Sequence, residues 1–115
     1  MGLKLLAASM LALLSPGVAT ASNSINGNVT GFASLADGTV LVYSSGTRDT
    51  PASCSNGQWP TRWAFDGKTV EGQEMLSILL MSHALHTPVN LYGTNNCSVL
   101  PDAETVSFLI TDNSQ

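Results

Sequence analysis

Along the chain the period of apolar and polar positions changes several times, and each change marks an element. Asn28 to Leu35 (NVTGFASL) and Thr39 to Ser45 (TVLVYSS) carry β-branched and aromatic residues at strand-like spacing, and such residues fit a pleated surface. Asp37-Gly38 lies between them and forms a tight-turn pair, so the two runs predict a hairpin. Ser45 to Pro60 is dominated by Ser, Gly, Thr, Pro and Asn and predicts a long loop. Arg62 to Phe65 (RWAF) predicts a short third strand that ends at Asp66-Gly67, with Trp63 and Phe65 sharing its core face.

From Val70 to His86 the apolar spacing becomes helical, over about 17 residues or 25 Å, and Pro88 prevents its continuation. Val89 to Tyr92 (VNLY) and Val106 to Thr111 (VSFLIT) predict a fourth and a fifth strand around the turn GTNNC, with a polar DNSQ tail. Strand, strand, strand, helix, strand, strand is the order of an OB-fold, a five-stranded, partly open barrel. The helix is apolar over more than the single stripe that packing on one barrel requires: Met75, Leu76, Ile78, Leu79, Leu80, Met81, Ala84 and Leu85. Either it is sunk deeply in its own domain or a second face meets another chain. The interface candidates on the second reading are Met75, Ile78, Leu79, Ser82, His83 and His86.

The start of the chain changes the compartment. Lys4, the apolar run Leu5 to Leu14 and the small residues Ala19-Thr20-Ala21 have the layout of a cleaved secretory signal. The run is shorter than the roughly 20 residues needed to span a bilayer. The expectation is a signal at 1–21, a single domain at 22–115, and a secreted or periplasmic location. After residue 21, Arg48, Arg62 and Lys68 stand against eight carboxylates, a formal charge of −5. No basic stripe for phosphate backbones is present, which argues against nucleic acid as a partner.

The two cysteines of an exported chain predict a Cys54–Cys97 disulfide. Closing that loop is worth about 4 kcal/mol by the chain-entropy model, a useful addition to the small core of so short a domain. A nucleophilic or metal-binding cysteine would need a neighbouring base or more ligands, and neither Cys-x-x-Cys nor Cys-His spacing occurs.

A cysteine, then RWAF, a helix with MLSILL after Gly72, a strand, a glycine and a late Cys-Ser resemble small secreted bacterial proteins related to the B subunits of subtilase cytotoxin and pertussis-like typhoid toxin. The resemblance covers nearly all of residues 22–115. It implies an OB-fold of AB5-toxin B-subunit type, a homopentameric ring whose helices line a pore, a possible A subunit or other protein partner, and recognition of sialylated cell-surface glycans. Where those subunits place a serine against the sugar carboxylate, this chain has Ala36, followed by Asp37-Gly38. A neutral glycan suits the acidic chain better.

Among single residues, Trp59 beside Pro60 offers an indole for stacking on a sugar ring, or else folds back over the core. Asp37, Tyr43 and Tyr92 complete the ligand-binding candidates, each tyrosine serving equally well as a packing residue. His83 and His86 share a helical face but lack a third zinc ligand in the sequence. Were the helices to line a pore, the pair would sense pH between about 5 and 7. Asp102 and Glu104 imitate a general acid and base, yet they follow Pro101 in what reads as a solvated turn. No nucleophile elbow or phosphate loop occurs. The sequence predicts a non-catalytic binding protein without a cofactor. A module that docks a protein partner, without glycan binding, is the alternative.

Overall fold

The computed structural model describes residues 22–55 and 59–111. The signal expected at 1–21 and the DNSQ tail lie outside the described residues. The strands are β1 (Asn23–Gly27), β2 (Val29–Ser34), β3 (Thr39–Ser44), β4 (Thr47–Asp49), β5 (Arg62–Asp66), β6 (Val89–Gly93) and β7 (Glu104–Ile110), and the helix α1 (Val70–Leu85) lies between β5 and β6. All seven strands belong to one sheet in the order β2-β3-β5-β7-β6-β1-β4. Neighbours are antiparallel except β5 and β7, which run parallel with Trp63 opposite Glu104.

The five strands expected from the pattern are present, but the sheet has seven and is not closed into a five-stranded barrel. The two further strands, β1 (NSING) and β4 (TRD), lack the alternation that announces a strand. They form because each gains a partner: β1 pairs with β6 on one side and with β4 on the other. Only Asn28 separates β1 from β2, and only Ser45-Gly46 separates β3 from β4. At this double bend the two chain segments approach so closely that a Cβ on Gly27 would collide with Ser44 Oγ and the Gly46 backbone. Glycine is required there by space rather than by dihedral freedom.

One face of the sheet carries the main core: Val29, Val40, Val42, Trp63, Phe65, Leu79, Val89, Leu91 and Val106. Trp63 and Phe65 are both buried, as their alternation predicts. The opposite face carries a smaller cluster of Leu41, Ala64 and Ala103, with Ala33, Tyr43 and Leu100 against it.

The helix is capped at both ends. Thr69 Oγ1 accepts a hydrogen bond from Gly72 N at 2.9 Å, satisfying one of the first-turn amides. His86 ends the helix as a left-handed cap at φ 55°, one residue earlier than the sequence pattern places its end, and Pro88 follows it out. Gly72 rests directly on the Asp66 carbonyl, where no side chain fits. The broad apolar circumference divides into two. Leu79 and Ser82 are buried and Met75, Leu76 and Ile78 are half-buried against the sheet, whereas Leu80 (49%), Met81 (52%) and Leu85 (66%) face outwards. Cys54 and Cys97 form the expected disulfide, with a Cα–Cα distance of 6.1 Å.

Candidate functional site

Two polar constellations lie around the connection from β4 to β5. The first is internal. Glu104 opens β7 with its side chain on the same inward parity as Val106, and it is fully buried. Its Oε1 accepts from Arg48 Nη2 and from Ala52 N, each at 3.0 Å, and its Oε2 accepts from Asn95 N at 3.0 Å. The Arg48 guanidinium lies 4.0 Å from the centroid of the Trp63 ring and donates from Nη1 to the carbonyls of Pro60 and Arg62, both at 3.0 Å. Burial draws the Arg48 guanidinium below its ordinary range, opposed by the Glu104 carboxylate. A carboxylate held by three donors, one of them charged, offsets the cost of taking two ions out of water.

This corrects the reading of Asp102 and Glu104 as an exposed acidic pair. Glu104 points inwards to hold the β4–β5 connection and the β6–β7 turn together, while Asp102 faces the surface. The alternation Glu104, Val106 carried that signal, and Pro101 masked it by marking the segment as a turn.

The second constellation is on the surface. Tyr43 lies opposite Arg62 in the β3–β5 ladder. Arg62 Nη2 bonds Asp102 Oδ1 at 2.8 Å and the Asp102 carbonyl at 3.3 Å, and its guanidinium sits 5.5 Å from the centroid of the Trp59 ring. Trp59 is 47% exposed. The salt bridge joins a mostly buried Arg62 side chain, 11% exposed, to a half-exposed Asp102 at 45%. Its effect is positional, because Asp102 fixes Arg62 and Arg62 backs the indole. Sequence reasoning selected Trp59 and Tyr43 but passed over Arg62, whose parity opposite Trp63 already placed it on the outer face.

The other candidates stand apart from this patch. Asp37 occupies the β2–β3 turn, where its carboxylate accepts from Thr39 N at 3.0 Å and is held below the usual carboxylate range by that bond. Ala36 beside it is exposed. Tyr92 stacks on Phe108 with ring centroids 4.5 Å apart and planes 9° from parallel. His83 Nδ1 bonds the Val29 carbonyl at 2.8 Å and its ring meets Phe32 edge-on, so it serves the α1–β2 contact, while His86 caps the helix.

Among the described residues no group of three or more His, Cys, Asp or Glu side chains converges, and no concave pocket is present to enclose a small molecule. No helix among them is long and apolar enough to cross a membrane. What the outer patch offers chemically is one exposed indole face with the Arg62 guanidinium behind it and the Asp102 carboxylate bonded to that guanidinium. Comparison with known proteins found no matching family model, no matching curated protein and no matching solved structure.

Proposed function

We propose that this chain is a secreted, non-catalytic binding protein of AB5-toxin B-subunit type that recognises cell-surface glycans through the Trp59 face, assembled as a homo-oligomeric ring. The observation that carries the reading is the fixed indole. Trp59 is exposed, backed by Arg62 and anchored through Asp102, an arrangement that offers an aromatic platform to a sugar ring. Arg62 occupies one π-face of the indole. That cation disfavours a second positive group on the other face, so the ligand class is a neutral sugar rather than an amine-bearing one.

Support for an OB-fold comes from connectivity. With β1 and β2 taken as one bent strand through Asn28, and β3 and β4 as another through Ser45-Gly46, five long strands remain, with the helix between the third and the fourth and the parallel contact between the third and the fifth. Support for the ring comes from Leu80, Met81 and Leu85, a second apolar stripe exposed among the described residues. The same stripe favours the other reading, in which α1 docks a protein partner and the chain binds no glycan.

A glycan array probed with the full chain and with Trp59→Ala tests the proposal. Discrete neutral-sugar hits that vanish in the variant are expected. A blank array with a stable co-purifying protein would sink the glycan reading and leave the docking one.

A further inference from the structure

Of the chain's four lysines and arginines, Lys4 lies outside the described residues, and the other three are held in very different ways. The Arg48 side chain is 9% exposed. Its Nη2 donates to Glu104, its Nη1 to the carbonyls of Pro60 and Arg62, and Trp63 lies against its guanidinium. The Arg62 side chain is 11% exposed and bonded to Asp102, and its strand β5 is paired on both sides, with β3 and with β7. Lys68 is the opposite case. Its side chain is 64% exposed, and the chain stays exposed from Lys68 to Glu71, through the turn that leads from β5 into α1. Lys68 Nζ meets the Asp37 carbonyl at 2.7 Å and Asp66 Oδ1 at 3.3 Å, and solvated ion pairs of this kind hold a long side chain weakly.

A protease that cuts after lysine or arginine draws that side chain into an anionic pocket and lays the residues around it in its cleft. For Arg48 this leaves the Glu104 carboxylate buried without its cation. For Arg62 it opens the ladders on both sides of β5. For Lys68 it gives up two surface contacts and frays the first turn of α1, and exposed turns are where chains are nicked. A cut between Lys68 and Thr69 divides the chain into β1 to β5, which carries Cys54, and α1 to β7, which carries Cys97. The two pieces are joined by the disulfide and by the β1–β6 and β5–β7 ladders, so they remain one molecule.

We propose that the Lys68–Thr69 bond is a processing site for a trypsin-like serine protease, and that the product is a folded two-chain protein linked through Cys54–Cys97. The protease serine attacks the Lys68 carbonyl carbon, the C–N bond breaks, and Thr69 leaves with an α-amino group protonated by the protease histidine. Water then releases Lys68 as a carboxylate, so the net change is one water added across the bond. The new ammonium stands at the N-cap of α1, against the positive end of the helix. The cut therefore loosens the first turn, while Leu79 and Ser82, far along α1, keep their buried places on the sheet. No residue of the Trp59 face takes part, and the site stands whether or not the chain binds a glycan.

Trypsin digestion of the full chain, read by intact mass with and without a reductant, decides it. The expected early product is a single species heavier by one water, which reduction splits into two fragments that meet at Lys68 and Thr69. A cut after Lys4 removes residues 1–4 alone and leaves the bridged fragments as they are. Cleavage follows the population of the opened form, so the native chain should be cut after Lys68 about tenfold or more faster than after Arg48 or Arg62. The reduced chain in urea should be cut at all three. Lys68→Gln should stay whole about tenfold longer or more, and Lys68→Arg should restore the cut, which separates loss of the recognised cation from a disturbed turn. Native cleavage after Arg48 or Arg62 as fast as after Lys68 would overturn the site. So would a native chain that stays whole under conditions that digest its unfolded form. Near-UV circular dichroism of the nicked, unreduced protein should match that of the parent, and its loss would overturn the folded two-chain product.

Discussion

Glu104 and Arg48 meet at 3.0 Å beside the Trp63 ring, with the carboxylate wholly buried and the Arg48 side chain 9% exposed. Removing one partner leaves an uncompensated charge in the interior. Glu104→Ala or Arg48→Ala is expected to lose about 3–5 kcal/mol in urea unfolding, whereas an Arg48→Met/Glu104→Leu double variant should lose much less. A double-variant loss equal to the sum of the two single losses would mean that the pair is not coupled.

The two tryptophans are expected to separate binding from stability. Trp63→Ala empties the centre of the core and should cost about 3–5 kcal/mol. Trp59→Ala, at an exposed site, should stay within about 0.5 kcal/mol of the parent while losing sugar retention on the array. Denaturant midpoints measured beside the array separate the two effects.

The outward stripe of α1 governs the oligomeric state. Light scattering should give the mass of a ring for the full chain and a monomer for Met81→Lys/Leu85→Glu, with unchanged unfolding of the monomer because neither side chain is buried. A parent chain that is already monomeric would remove the ring from the proposal.

Gly72 tests how the helix is seated. In an open helix a glycine-to-alanine change adds roughly 0.5–1 kcal/mol of stability. Here the new methyl would run into the Asp66 carbonyl, so Gly72→Ala should instead destabilise by about 1–3 kcal/mol. A thermal melt reads the sign directly.

The turns at Asp37 and Asp66 contribute a small acid sensitivity. Backbone amides, of Thr39 for Asp37 and of Lys68 for Asp66, hold both carboxyls below their ordinary value of 3.8. A depressed carboxyl contributes stability that is fully present above its unfolded pKa and is lost as pH falls through the folded one. Asp37→Asn/Asp66→Asn should therefore unfold with a shallower pH dependence below about 3.8 and differ little from the parent in slope at neutral pH. Identical slopes in acid would mean that these bonds do not favour the charged carboxylates.

The elements with a clear period were legible in the sequence: the Val-rich hairpin, RWAF between turn residues, and a long apolar run closed by Pro88. β1 and β4 were not, because Asn23–Gly27 and Thr47–Asp49 become strands through their partners rather than through their own composition. The inward role of Glu104 was hidden for a similar reason: two of its three partners, Arg48 and Ala52, are 56 and 52 residues away in sequence. Trp59 drew notice as an aromatic residue in a polar loop, but its support by Arg62 and Asp102 depends on two elements that only the fold brings together.

Among the described residues the strand latest in sequence, β7, lies in the middle of the sheet. β7 joins β2-β3-β5 on one side to β6-β1-β4 on the other, so until Glu104–Ile110 is in place the two halves meet through the double bend at Asn28 and Ser45-Gly46, where Ser45 N donates to the Asn28 carbonyl. Contacts of such long sequence separation are slow to form, and closing the seam between β5 and β6 waits for β7. A chain cut between β6 and β7 should keep the bent hairpin of β1 to β4 but leave the facing edges of β5 and β6 unpaired and prone to aggregation, rather than give a smaller folded domain.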